Sequence, residues 1–296
     1  MDEITFAVPY YSGLELLERT LASIVGQRDP TWSAVVCDDS DDPAVEPLVA
    51  RVGGGRIRYA RNASSLGMAG NFNRCLEIAE TPLVTILHAD DELGPGYAAT
   101  MRAAATRHPD AVALFCRAEI IGPDSQPWFS LADVVKRRFL PSSRDEIVLE
   151  GEPGMRVLLA ANFIVAPTLC FRKSLLGAHR FPTNRRFVMD WELTTGLLLA
   201  GESIVGLPVV EFRYRRHADN ATERLTKTQH RFLEESEFYD RMRVVALERG
   251  WEECARIAER KRIVKLNVAY RALKSAVRLQ WRDAARGVRL LVELSR

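Results

Sequence analysis

Pro82-Leu83-Val84-Thr85-Ile86-Leu87 runs straight into His88-Ala89-Asp90-Asp91-Glu92-Leu93, and this stretch decides the fold. The apolar half reads as a strand buried on both faces, the pattern of a parallel sheet. Two adjacent carboxylates at the end of such a strand cannot both be buried without a partner. Desolvating an unpaired carboxylate costs several kcal/mol, and like charges side by side raise one pKa. A divalent cation at the strand's carboxyl end removes the conflict. Open α/β sheets bind their ligands at that end.

Working outward, strands and helices alternate. Strands are expected at Ile4–Pro9, Trp32–Cys37, Arg56–Ala60, Pro82–Leu87 and Ala111–Ile121. Helices are expected at Leu14–Gln27, Pro43–Val52, Met68–Glu80 and Tyr97–Arg107, with Gly53-Gly54-Gly55 ending the second. That order predicts an α/β fold with a mostly parallel sheet and helices on both faces. Residues 122–150 read as a long excursion suited to substrate contacts. Strands at Leu169–Arg172 and Val209–Tyr214 and a helix at Asp190–Ala200 follow. After His217 only helices are expected, at Thr228–Arg249, Glu252–Ser275 and Trp281–Leu294. The parse is a catalytic α/β domain over 1–218 and a helical C-terminal extension over 219–296.

Composition narrows the class. A 47% hydrophobic share is enough for a sizeable core. Five scattered cysteines without CxxC spacing argue against a zinc site or redox motif and suit a reducing compartment. No apolar run reaches the roughly 18 residues of a membrane span, and the N-terminus lacks a signal-peptide pattern. The expected location is cytoplasmic. The net charge of +2 conceals an asymmetry. From Arg256 to Arg296 twelve cations face three acids, a net +9, which leaves −7 for residues 1–255. This basic tail suits either packing with solvated arginines or peripheral contact with the inner face of an anionic membrane. Nucleic acid is disfavoured, since no reading module accompanies the charge.

Six clusters carry candidate chemistry. Pro9-Tyr10-Tyr11 follows the first strand where a dinucleotide-binding fold would place a glycine-rich loop, and a tyrosine there either stacks on a base or simply packs. Asp38-Asp39 suits acceptance of a pyrimidine imide N–H, or an Asx turn. The segment Asn62 to Arg74, with Gly67, Gly70, Asn71 and Asn73, enters a helix whose N-terminus can face an anion. His88, Asp90 and Asp91 offer ligands for Mg²⁺ or Mn²⁺. Asp190 opens a helix, as a cap or as a base near an acceptor hydroxyl, with Glu192 a second choice. Arg215-Arg216-His217 suits a leaving diphosphate or, through His217, the metal; a solvated basic turn is the plain alternative.

Taken in order, these motifs resemble those of the family-2 glycosyltransferases of the GT-A fold, over about residues 3–218. The helix ending Ser23-Ile24-Val25-Gly26-Gln27 belongs to the same pattern. The resemblance implies inverting transfer from a nucleotide diphosphate sugar of UDP or dTDP type, assisted by Mn²⁺ or Mg²⁺. It places pyrimidine binding on Asp39, metal and phosphate binding on Asp90 and Asp91, the general base on Asp190, and diphosphate or metal assistance on Arg215 and His217. The family often has an aspartate where this chain has His88, and a histidine there can hold metal, phosphate or donor sugar. The donor-binding set is then Pro9, Tyr10, Tyr11, Asp39, Asn62, Gly67, Asn71, Arg74, His88, Asp90 and Arg215; the metal set is Asp90, Asp91 and His217. The acceptor is a glycan, lipid-linked, peptide or small natural product, and a homo-oligomer is compatible with the tail. The competing class is a non-catalytic sugar-nucleotide or carbohydrate-binding protein on the same fold.

Overall fold

The stretch Ile4–Tyr10, apolar or aromatic except for the buried Thr5, builds an inner strand, β1, of a mixed sheet. The computed structural model describes residues 3–128, 145–217, 225–226 and 228–294. Much of the expected 122–150 excursion, and the junction expected at 218/219, lie outside the described residues. The other strands are β2 (Trp32–Asp38), β3 (Ile57–Arg61), β4 (Leu83–Ile86), β5 (Glu92–Leu93), β6 (Ala111–Ile121), β7 (Ile147–Leu149), β8 (Cys170–Arg172) and β9 (Ser203–Arg215). The helices between them are α1 (Leu14–Val25), α2 (Val45–Gly53), α3 (Gly67–Ile78), α4 (Tyr97–Arg107), α5 (Gly151–Ala160), α6 (Lys173–Leu176) and α7 (Met189–Leu199). Then come α8 (His230–Glu248), α9 (Glu252–Arg260), α10 (Arg262–Val277) and α11 (Trp281–Glu293).

The sheet runs β3-β2-β1-β4-β8-β6-β9-β5, with β7 also on β9. Strands β3, β2, β1 and β4 are mutually parallel, and β6 is parallel to β9. The segment expected at Leu169–Arg172 forms β8, which runs antiparallel to both β4 and β6. Only three residues long, it gives no periodicity from which direction follows. The chain steps from β1 to β2 to β3 and returns to the far side of β1 for β4. Strand order therefore reverses at β1, and all four strands end on one edge, the usual place for a ligand crevice.

Leu17, Leu21 and Ile24 put one face of α1 into the core beside Ile4, Phe6 and Val8, on the helical period expected for this segment. Gln27 then fixes the helix end. Its amide donates to the Gly94 carbonyl at 2.7 Å, and its Oε1 accepts from the Ala98 N–H at 2.9 Å. Ser23 Oγ accepts from the Leu93 N–H at 3.0 Å. The Ser23–Gln27 segment thus anchors the chain that follows the Asp90-Asp91 turn.

Two compact units divide the chain. One comprises Met1–Gly151, Phe163–Asn184 and Met189–Ala218; the other comprises Glu152–Asn162, Arg185–Val188 and Asp219–Arg296. Within the second, the buried Glu234 accepts N–H bonds from Arg186, Phe187 and Val188 at 2.7 to 3.3 Å, and Tyr239 donates to the Leu159 carbonyl at 2.7 Å. The helix expected over Glu252–Ser275 is two helices. Lys261, at the break, adopts φ 46°, and its ammonium reaches Ser236 Oγ at 2.8 Å and Asp240 Oδ2 at 2.7 Å.

Candidate active site

The carboxyl ends of β2 and β3 are tied together through two aspartates. Asp38 accepts from the Ser40 N–H (2.8 Å), the Ser40 hydroxyl (2.7 Å) and the Tyr59 hydroxyl (2.7 Å), so it closes an Asx turn. Asp39 is likewise buried. One of its oxygens accepts from the Asn62 amide (2.9 Å) and the Leu66 N–H (2.8 Å), the other from Ser65 Oγ (2.8 Å) and the Gly67 N–H (3.0 Å). A carboxylate offers about four acceptor positions, and these four bonds fill them. Asp39 thereby caps the start of α3, where Gly67 sits at φ 69°, a backbone state open to glycine. Asn71, also buried, donates to the Cys37 carbonyl (2.9 Å) and accepts from Asn62 (3.0 Å). Sequence alone placed Asn71 among the donor contacts; its amide instead joins the ends of β2 and β3 from inside. Beside this network lies a cleft of about 350 Å³ lined by Asp39, Ser40, Asp41, Arg61, Asn62 and Ser65.

The turn after β4 carries the second group. His88, Asp90 and Asp91 each present a ligand atom, all within 4.8 Å of one another. Asp91 is fully buried. Its Oδ1 accepts from the Arg215 N–H at 2.8 Å, whereas its Oδ2 has no hydrogen-bond partner among the described residues. His88 Nδ1 stands 3.8 Å from that oxygen. The His88 ring stacks on Phe72 of α3, centroids 5.2 Å apart. Burial, followed by the Asp90 charge, pushes the Asp91 carboxyl well above the usual range. Burial also pushes Asp90 up, but its hydrogen bond to His217, with the nearby imidazoles, outweighs this and holds it low. Burial pulls the His88 imidazole down against the Asp90 charge, favouring the neutral ligating form. The orphaned Oδ2, a second carboxylate and a neutral imidazole together suit a divalent cation.

Arg215 and His217 take different places from those expected. Arg215 is 1% exposed. Its Nε donates to the Asp90 carbonyl at 2.8 Å, one terminal nitrogen to the Gly122 (2.8 Å) and Pro123 (3.0 Å) carbonyls, and the other to Ser125 Oγ (2.9 Å) and Glu92. All five donors are satisfied within the protein, leaving none for a diphosphate. Arg215 is therefore placed as a buried clamp on the 90–92 turn, and not, as the sequence led us to expect, with its guanidinium open to the donor. His217 Nε2 meets Asp90 Oδ2 at 2.9 Å, so it reaches the cluster as a carboxylate's partner, a position that orients a ligand.

The remaining candidates separate by exposure. Tyr10 is buried, and burial with nearby Asp42 and Asp38 pushes its phenol up to about 12; Tyr11 is 68% exposed. Of the two, Tyr11 is the one open to a base. Pro9 is part-buried beside Cys37. Arg74 lies on the surface 3.4 Å from Glu77. Asp190 is part-buried in the first turn of α7. Sequence reasoning assigned no role to Glu92, Ser65 or Ser125. Glu92 adjoins the aspartate pair, but its partners come from residues 125, 213 and 215, and no local pattern marks them.

In register, β2 and β4 flank β1, so the Asp39 network and the His88–Asp91 cluster sit two strand spacings apart, roughly 10 Å. Residues 5–164 match the sequence profile of glycosyl transferase family 2. An uncharacterized protein of Mycobacterium tuberculosis is 31% identical over 246 residues, which cover 78% of this chain and 72% of that protein. The teichoic acid poly(glycerol phosphate) polymerase of Staphylococcus epidermidis is 26% identical over 78% of this chain, but only 31% of its own length is spanned. Among solved structures, residues 1–349 of S. aureus TarS in complex with UDP-GlcNAc match with a TM-score of 0.62 at 18% identity, covering 83% of this chain. The chain spans 66% of that TarS chain, and the likeness is one of fold.

Proposed function

The chain belongs to glycosyl transferase family 2, and from that premise we propose that it moves a sugar, with inversion, from a UDP- or dTDP-type nucleotide diphosphate sugar to an acceptor. The observation that carries this reading is the orphaned, fully buried Oδ2 of Asp91 at the carboxyl end of β4. A buried carboxyl kept without a hydrogen-bond partner makes sense at a site that receives a cation, which would take the place of its proton. Mn²⁺ or Mg²⁺ held by His88, Asp90 and Asp91 would neutralise charge on a leaving diphosphate.

The chain's own residues supply the rest. The cleft beside Asp39 and Asn62 receives the nucleoside, with exposed Tyr11 as a stacking face and Asp39 holding the loop in shape. Asp190 takes the proton from the acceptor nucleophile, which attacks the anomeric carbon from the face opposite the leaving group. The transition state has oxocarbenium character; a base activates the nucleophile, and a diphosphate leaving group needs no carboxylic acid to protonate it. Arg215 acts indirectly by fixing the turn on which both aspartates stand.

A thermal-shift screen of nucleotide sugars with Mn²⁺ and Mg²⁺ tests donor binding, and slow metal-dependent release of nucleoside diphosphate tests turnover. Asp190→Asn should lower turnover by about 100-fold or more at nearly unchanged donor affinity. Near-normal turnover of that variant removes Asp190 from the base role. Donor binding without any release of diphosphate, under all conditions, would favour a non-catalytic binder.

A further inference from the structure

The basic C-terminal helices sort their apolar residues onto two faces. In α10, Val264, Val268 and Ala272 are buried, and Ala272 lies against Gly287 of α11, where an added Cβ would approach to 2.9 Å. Leu266, Tyr270, Leu273 and Val277 follow at steps of four, three and four, and they are 51% to 76% exposed. At 100° per residue they form one stripe on the side opposite the buried seam. In α11, Trp281, Val288 and Val292 repeat the arrangement, 64%, 54% and 50% exposed, while Ala284, Gly287 and Leu290 are buried. Isolated exposed leucines need no explanation, but an exposed apolar stripe on each of two packed helices does.

Charge identifies what covers them. Helix α10 carries Arg262, Lys265, Arg271 and Lys274 and no acid; α11 carries Arg282, Arg286 and Arg289 against Asp283 and Glu293. A second copy laid on the same stripes would bring a like-charged helix pair onto this one, which the repulsion opposes. An anionic lipid surface presents opposite charge and an apolar layer at the depth these side chains reach. We propose that α10 and α11 bind the surface of an anionic bilayer, with Leu266, Tyr270, Leu273, Val277 and Trp281 inserted below the headgroups and the lysines and arginines at phosphate level. This is peripheral contact, since no helix among the described residues is long and apolar enough to cross a membrane.

The test is sedimentation of the full chain with phosphatidylcholine vesicles, alone or with about one third phosphatidylglycerol. The expected result is binding to the anionic vesicles, weakened by high salt and slight on neutral ones. Leu273→Glu with Val277→Glu should lower the partition coefficient at least about tenfold, by lost apolar burial and added negative charge. Lys265→Glu with Lys274→Glu should lower it by a similar factor. Both variants should keep the wild-type unfolding midpoint and donor hydrolysis, which separates this result from misfolding. Equal binding of wild type and the Leu273/Val277 variant would overturn the proposal. So would a stable dimer that this variant dissociates, in a chain that ignores vesicles, because a second copy would then be the cover.

Discussion

Arg215 offers the sharpest division between a ligand-gripping cation and a structural one. Its guanidinium serves five acceptors: the carbonyls of Asp90, Gly122 and Pro123, the Ser125 hydroxyl and the Glu92 carboxylate. Lysine keeps the charge but has three donors, so Arg215→Lys leaves at least two of these buried or part-buried acceptors unmet. At about 1–3 kcal/mol for each orphan, and allowing for some relaxation, the variant should lose roughly 2–4 kcal/mol. Arg215→Met leaves Glu92 without its buried partner and should lose about 3–5 kcal/mol. For a chain of this size each kcal/mol moves the midpoint by about 2–4 °C, so Arg215→Lys should unfold roughly 5–15 °C lower. The assay is thermal and urea unfolding without nucleotide or metal. Adding Glu92→Met to Arg215→Met should recover part of the loss, because the pair is worth less than the damage of breaking it. If Arg215→Lys unfolds like wild type while nucleotide-sugar affinity collapses, the side chain reaches the diphosphate and the clamp is wrong.

Three other perturbations have defined signs. Asp91→Asn removes a charge that burial opposes, so without divalent ions stability should hold or rise; the metal-dependent stabilisation, about 2.7 kcal/mol at one hundred times Kd in the wild type, should vanish. A variant with the wild-type Mn²⁺ shift would refute this placement. Gly67→Ala meets open space but must adopt φ 69°, so unfolding experiments should show a loss of about 1–2 kcal/mol from backbone strain alone. Glu146 is held below its usual carboxylate range first by His108, 2.6 Å away, and then by Arg107. A depressed carboxylate stabilises the fold above its unfolded value of 4.5 and loses that contribution as pH falls through the lower native value. Glu146→Gln should therefore be less stable than wild type at neutral pH, by about 1 kcal/mol or less, with the gap closing in acid. A gap that does not change with pH would contradict the assignment.

Much of the architecture was legible because its cause is local. Strands β1 to β4 and the helices between them follow from apolar runs and a 3.6-residue period, and the strand expected within Ala111–Ile121 fills that whole segment. The choice between Tyr10 and Tyr11 is legible too. Ile4, Phe6, Val8 and Tyr10 share a face by the two-residue strand period, so Tyr10 had to be core and Tyr11 the residue that leaves it. The direction of β8, the break at Lys261 and the inward turn of Asn71 were not legible. Each goes with a partner far along the chain: β4 and β6 for β8, Asp240 for Lys261, Cys37 for Asn71.

The two Asp-Asp pairs show why the site itself needed the structure. Asp38-Asp39 and Asp90-Asp91 look equivalent in the sequence, each closing an apolar strand and each burying an aspartate. What separates them is the supply of hydrogen. Asp39 receives four donors from residues 23 to 28 positions away, because the loop after β3 folds back over it. Its charge is answered, and it makes no demand for a cation. Asp91 receives one backbone donor, from Arg215, 124 positions on, while the Arg215 guanidinium goes to its neighbours. One oxygen is left over, beside a second carboxylate and an imidazole. The pair proposed to hold the metal is thus the one the fold leaves incomplete, a property that lies in the return paths of distant segments and not in either dipeptide.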